Sequence, residues 1–170
     1  MAELRIRFKK KRDGTATLTC VRADNTSTGQ RSGAFFVGHD LGHYAIETTL
    51  GLRSAFWGML ARGWDIDDFG SPWPRGPIPT DAMEDLALAE HAAGMLDAER
   101  YGVPIRSADE FNFWLEQALT QAGMTLVRRL TEADLARLRA CRADLAARWE
   151  ALPPGETLEL LFPPVKPGGE

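Results

Sequence analysis

Leu4-Arg5-Ile6-Arg7-Phe8 alternates apolar and basic residues over five positions. A period of two places Leu4, Ile6 and Phe8 on one face and Arg5 and Arg7 on the other, the pattern of a half-buried β-strand. Asp13-Gly14 follows and is a strong hairpin signal. The threonine-rich run from Thr15 to Val21 suits the return strand. At the far end, Leu158-Glu159-Leu160-Leu161-Phe162 reads as a short strand. A lone two-stranded hairpin is marginal in water, so the last strand is expected to join it as a third.

Helical patterns fill the space between. Residues 22–33, with Asn25, Thr26, Ser27, Thr28 and Gly29, read as turns or a loop. A first helix is expected over 39–50, closed by Gly51. A second covers about 52–62, with Leu52, Ala55, Phe56, Met59 and Leu60 on one face and Gly63 as its stop. Four prolines between Pro72 and Pro79 then make a rigid loop that also carries Trp73. Thr80 or Asp81 caps a third helix, about 81–100. Ser107 and Glu110 form a capping box for a fourth, about 108–122. Thr131 caps a fifth, about 132–151, which Pro153-Pro154-Gly155 breaks. The expected fold is therefore α+β: a small antiparallel sheet, made of the N-terminal hairpin and the C-terminal strand, packed on about five helices. One domain over 1–170 is expected, with 163–170 a loose tail.

Composition narrows the function classes. The chain has 170 residues, 44% of them hydrophobic, and its formal net charge is −4. A dedicated duplex-DNA binder usually carries a basic surplus, so nucleic acid is not the expected partner. No apolar run reaches the roughly 18 residues of a membrane span. The first residues lack the apolar core of a signal peptide. Cys20 and Cys141 form no CxxC pair and no disulfide framework, so both are expected to be small buried residues of a cytoplasmic protein. No GxSxG elbow, P-loop or dinucleotide-binding glycine pattern occurs.

One segment carries chemistry. Gly38-His39-Asp40-Leu41-Gly42-His43-Tyr44-Ala45-Ile46-Glu47 holds two of the three histidines, four residues apart. On a helix, i and i+4 lie on one face, one turn apart, which is how one helix offers two imidazoles to one metal. Glu47 continues the row but is rotated roughly 80° from His39 at 100° per residue. It either completes a site or accepts a proton from His43 from behind. The non-functional reading makes Asp40 the helix cap, which leaves His39 outside the helix and His43 with Glu47 as an ordinary polar pair.

His39-Asp40-Leu41-Gly42-His43 resembles the HExxH helix of zinc peptidases. That resemblance implies zinc, with His39 and His43 as ligands. Asp40 stands where the general-base glutamate would, one methylene shorter. A third ligand would come from a later helix, with His91 the remaining histidine and Glu84, Glu90 or Glu99 the carboxylate options. The same letters are similar to HD-domain phosphohydrolases, where His39 and Asp40 would be ligands, but that family needs an earlier histidine, and none precedes position 39. The longer block from Phe35 to Phe69 resembles a group of small bacterial proteins with an HDLxHxxxE motif. It implies a bacterial source and a shared fold, and brings no reaction with it.

Three further features have plain readings beside functional ones. Trp64-Asp65-Ile66-Asp67-Asp68 is either a cation site or lid, or a polar connector pinned by tryptophans. His91 lies mid-helix between Leu88 and Met95, as a satisfied, partly buried histidine or as the third ligand. Lys9-Lys10-Lys11-Arg12 is a phosphate contact or a solvated hairpin tip. The leading expectation is a zinc-binding protein, with His39 and His43 as ligands, His91 or Glu47 as the third, and Asp40 as base of a metal-dependent hydrolase acting on a small molecule. The competing expectation is a non-catalytic interaction module that docks a partner protein, its histidine face packed without open volume.

Overall fold

The alternation around Ile6 builds a central strand. In the computed structural model, which describes residues 2–69 and 77–165, β1 (Ala2–Lys10) lies between β2 (Ala16–Arg22) and β4 (Thr157–Val165). All pairings are antiparallel, and β3 (Ser27–Ser32) adds an outer strand, giving the order β3-β2-β1-β4. Register puts Ile6 opposite Cys20 on one side and Leu160 on the other, and Phe8 opposite Leu18 and Leu158. One sheet face is therefore buried and apolar except for Arg22 and Ser32 at its margin, while Arg5, Arg7 and Glu159 share the outer face. The turn after β1 places Gly14 at a left-handed φ of 80°, which its lack of a side chain permits.

The sheet has one strand more than the sequence suggests. Residues 22–33 were expected as loop, yet β3 pairs with β2 from Ser27 to Ser32. Its residues are Ser-Thr-Gly-Gln-Arg-Ser, so no hydrophobic period marks it. Backbone pairing holds it at the edge, helped by the Ile66 N–H donated to Thr28 Oγ1, and a polar strand there discourages further pairing. The expected loose tail is also corrected. Pro163 to Val165 belong to β4, with a register shift near Ala2, and prolines are tolerated on an edge strand that needs no N–H from them. Residues 166–170 lie outside the described residues, as do Pro72, Trp73 and Pro74 of the proline-rich loop.

Helices cover the apolar face. α1 (Ala34–Leu50) starts five residues before the expected boundary, with Gly33 as N-cap. Asp40 is thus inside the helix and caps nothing. Phe35-Phe36-Val37, which carries no break, forms the first turn rather than a lead-in. α2 (Phe56–Ala61) is shorter than expected, because Asp85 Oδ2 captures the N–H groups of Arg53 and Ser54 and holds them in a turn. A 3-10 turn (Ile66–Phe69) precedes α3 (Thr80–Arg100). α4 (Ala108–Gln121) has the expected Ser107 cap, but Glu110 turns to the Arg106 N–H, so the box is half formed. α5 (Glu132–Ala151) has a complete box between Thr131 and Asp134. The buried apolar residues of sheet and helices form a continuous core. Trp57 is fully buried in it and meets Phe8 edge-to-face at 6.4 Å. Among the described residues no helix is long and apolar enough to cross a membrane.

Candidate metal centre

Because α1 begins at Ala34, His39 and His43 both sit within it and project one turn apart toward α3. α3 answers with Glu90 and Asp97, seven residues apart and so on nearly one face. The three meet closely. His43 Nε2 lies 3.2 Å from His39 Nε2 and 3.1 Å from Glu90 Oε2, and His39 Nε2 lies 3.8 Å from Glu90 Oε1. His39, His43 and Glu90 are a group of donors able to hold a metal ion.

The donor set fits zinc in type and spacing. Two ligand atoms each about 2.0–2.1 Å from one ion, at a tetrahedral angle, are roughly 3.3 Å apart. The Nε2–Nε2 distance of 3.2 Å matches that geometry. Each ring also has a carboxylate behind it. His39 Nδ1 donates to Asp97 Oδ2 at 2.7 Å, which fixes the proton on Nδ1 and leaves the Nε2 lone pair facing the site. His43 Nδ1 has no hydrogen-bond partner, and its nearest acceptor is Glu47 Oε1 at 3.7 Å.

Glu47 is fully buried, and its carboxylate accepts the N–H groups of Trp57 and Gly58 at the start of α2. Gly58 is needed there, since a Cβ at this position would lie 2.2 Å from the Arg53 carbonyl oxygen. Burial raises the Glu47 carboxyl, while His43 and the two amides work against that rise. Burial alone would depress His43, but Glu47 and Glu90 outweigh it and lift the ring to about 9. Glu90 is held low, chiefly by its hydrogen bond from His43.

Beside the cluster opens a cavity of about 700 Å3. His39, Asp40, His43 and Glu90 form its polar end, and Phe56, Ile66, Phe69 and Met83 contribute apolar wall. Asp40 is buried with Oδ2 unpartnered, and burial pushes its carboxyl up to about 6 against the pull of both histidines. Glu90 is largely solvent-exposed, so the cluster is open on that side.

The expected third ligands require correction. Glu47 does not complete the donor set; it is buried behind His43, as the rotation along α1 dictates. His91 is not in the group either, because one residue on from Glu90 turns the side chain by about 100° on α3. Of the carboxylate options, Glu90 is the one grouped with the two histidines. Glu84 is exposed, and Glu99 is bound to Arg139. Asp97 was not anticipated. Its only sequence signal is the two-turn spacing from Glu90, which becomes meaningful once α3 is known to face α1.

Other expectations resolve plainly. Lys10 of the basic run donates to the carbonyls of Trp149 and Glu150, closing the end of α5 rather than offering a free phosphate contact. In the acidic connector, Asp65 pairs with the buried Arg22, while Asp67 lines the cavity. Cys20 and Cys141 are unbridged, and burial pushes the Cys20 thiol up to about 12, far from a reactive thiolate. Comparisons of the chain with protein-family models, curated proteins and solved structures gave no match.

Proposed function

We propose that His39, His43 and Glu90 hold a zinc ion and that the protein is a metal-dependent hydrolase of a small molecule bound in the adjoining cavity. The observation that carries this reading is the convergence of two Nε2 atoms and one carboxylate, with a second carboxylate facing each Nδ1. Two histidines and one carboxylate leave a zinc coordination position open, as catalytic sites require. Zinc held there would supply Lewis acidity and make water nucleophilic near neutral pH. Asp97 holds the His39 proton on Nδ1 and so orients that ring, while Glu47 places a buried carboxylate 3.7 Å behind His43 Nδ1. Asp40, with a pKa of about 6, is mostly ionised at pH 7, and as a residue of the cavity wall it is the carboxylate placed to take a proton. Apolar walls exclude water from the bound substrate.

A proton can replace the metal in this network. His43 titrating near 9 would then bridge His39 and Glu90 in a non-catalytic module. The open cavity beside the rings argues against that reading, because a packing face leaves no such volume. Elemental analysis of the tag-free protein, beside a His39→Ala/His43→Ala variant, tests the proposal. About one equivalent of zinc in the parent and none in the folded variant is expected. A parent that takes up no zinc even after reconstitution would overturn it.

A further inference from the structure

On the opposite side of α1 from the cavity lies a second, smaller hollow of about 190 Å3, between α1, α3 and α5. Arg100 and Arg142 both line it, with Ala34 and Gly38 of α1. Arg142 is half-buried and makes no hydrogen bond or ion pair among the described residues. Burial disfavours its charge, Asp97 supports it, and the neighbouring Arg100 repels it. Arg100 donates to the Tyr101 hydroxyl and stands 3.8 Å from Asp97, so its fork is only partly used. Gly38 gives that fork its place: a Cβ there would lie 1.7 Å from Arg100 Nη1. α1 enters the wall at Ala34, and its N-cap Gly33 brings no side-chain acceptor. The hollow thus brings two guanidinium groups and a helix start together. Glu150 on the rim is the one wall carboxylate and opposes an anion.

We infer that this hollow is an oxyanion site for a phosphoryl group, held between Arg100 and Arg142. Two half-buried guanidinium groups that repel each other gain most from a shared anion. Two guanidinium forks, one from α3 and one from α5, offer more donors than a flat carboxylate can take up and suit a group with three oxygens. The site holds none of the metal-centre donors and meets that centre through Asp97, which accepts from His39 and stands 3.8 Å from Arg100.

Calorimetric titration of inorganic phosphate into the full chain, with chelator and constant ionic strength, tests this. Saturable binding is expected, weakened at least tenfold by Arg142→Gln and by Gly38→Ala. Arg148→Gln, on the same helix and paired with Asp144, should leave it unchanged. Circular dichroism establishes that each variant is folded. Phosphoserine distinguishes the source: equal affinity assigns the site to free phosphate, and tighter binding to a phosphoryl group on a larger molecule. No saturable binding to the parent, unchanged binding in Arg142→Gln, or equal loss in Arg148→Gln would overturn the inference.

Discussion

The sheet face is sealed from water, the histidine cluster is open on the side of Glu90, and the two are stabilised in opposite ways. Behind β1, Leu4, Ile6, Phe8, Leu18, Leu160 and Phe162 are excluded from water with no polar atom among their side chains. Across α1 and α3, five ionisable groups crowd together: His39, His43, Glu47, Asp40 and Asp97. Burial of apolar surface is favourable by itself. Burial of charge is unfavourable unless each group finds a partner. The sheet therefore supports the fold, and the cluster draws on that support to hold its groups in a functional arrangement. Substitutions on the two sides should consequently move different observables.

The largest effect is expected in the sheet. Phe8 packs edge-to-face on both Trp57 and Trp149 with no exposed surface. Phe8→Ala should cost about 3–5 kcal/mol of stability, as for other large-to-small core changes. Denaturant unfolding measures this, and a loss under 1 kcal/mol would show that the sheet face is not the main support. Zinc stoichiometry should stay the same in whatever fraction remains folded.

On the cluster side the expected change is in metal affinity. Asp97→Asn and Glu47→Gln keep much of the shape and remove the negative charge behind one ring each. Loss of such a partner typically weakens metal binding by 10–100-fold. Competition with a chromogenic chelator reads this directly. Unchanged zinc affinity in both variants would remove the orienting role given to these carboxylates.

Much of this division is legible in the sequence, but unevenly. The alternation of Leu4, Ile6 and Phe8 and the hairpin signal at Asp13-Gly14 identify β1 and β2, since period and turn chemistry are local properties. β3 escapes because Ser27 to Ser32 bury almost nothing, and only Ser32 is fully inside. The histidine pair is visible through its i, i+4 spacing. The carboxylate that joins it is not, because Glu90 and His91 are adjacent in sequence and only the facing of α3 on α1 chooses between them. Glu47 was read with two roles open, and its rotation along α1 fits the one behind His43. Asp97 needs the tertiary pairing of two helices, which no single-helix pattern contains.

pH should separate the regions further. In the metal-free protein His43 is raised from 6.5 to about 9, so its contribution to stability is complete below about pH 6.5 and is lost as pH rises through 9. Asp40 acts in the same direction: its folded pKa of about 6 exceeds the usual 3.8, so stability declines as pH rises between them. Zinc must displace the His43 proton, so its apparent affinity should rise toward pH 9. Calorimetry at pH 7 in buffers of different ionisation enthalpy should find close to one proton released per zinc. Release of none would mean that His43 is already neutral, or not a ligand.

The smallest effect is expected on the outer face of the same sheet. Glu159 accepts from Arg7 Nε at 2.7 Å and lies 3.4 Å from Arg5 Nε, a good cross-strand geometry. All three side chains are more than two-fifths exposed, so water and salt screen the attraction. Glu159→Ala should change stability by less than about 1 kcal/mol, and added salt should erase the difference. A loss approaching that of Phe8→Ala would mean that the charged face, and not the apolar one, holds β4 against β1. A neutral result would leave the sheet's stability with side chains that have no partner except one another, which is why its pattern is readable from five residues while the cluster's needs two helices.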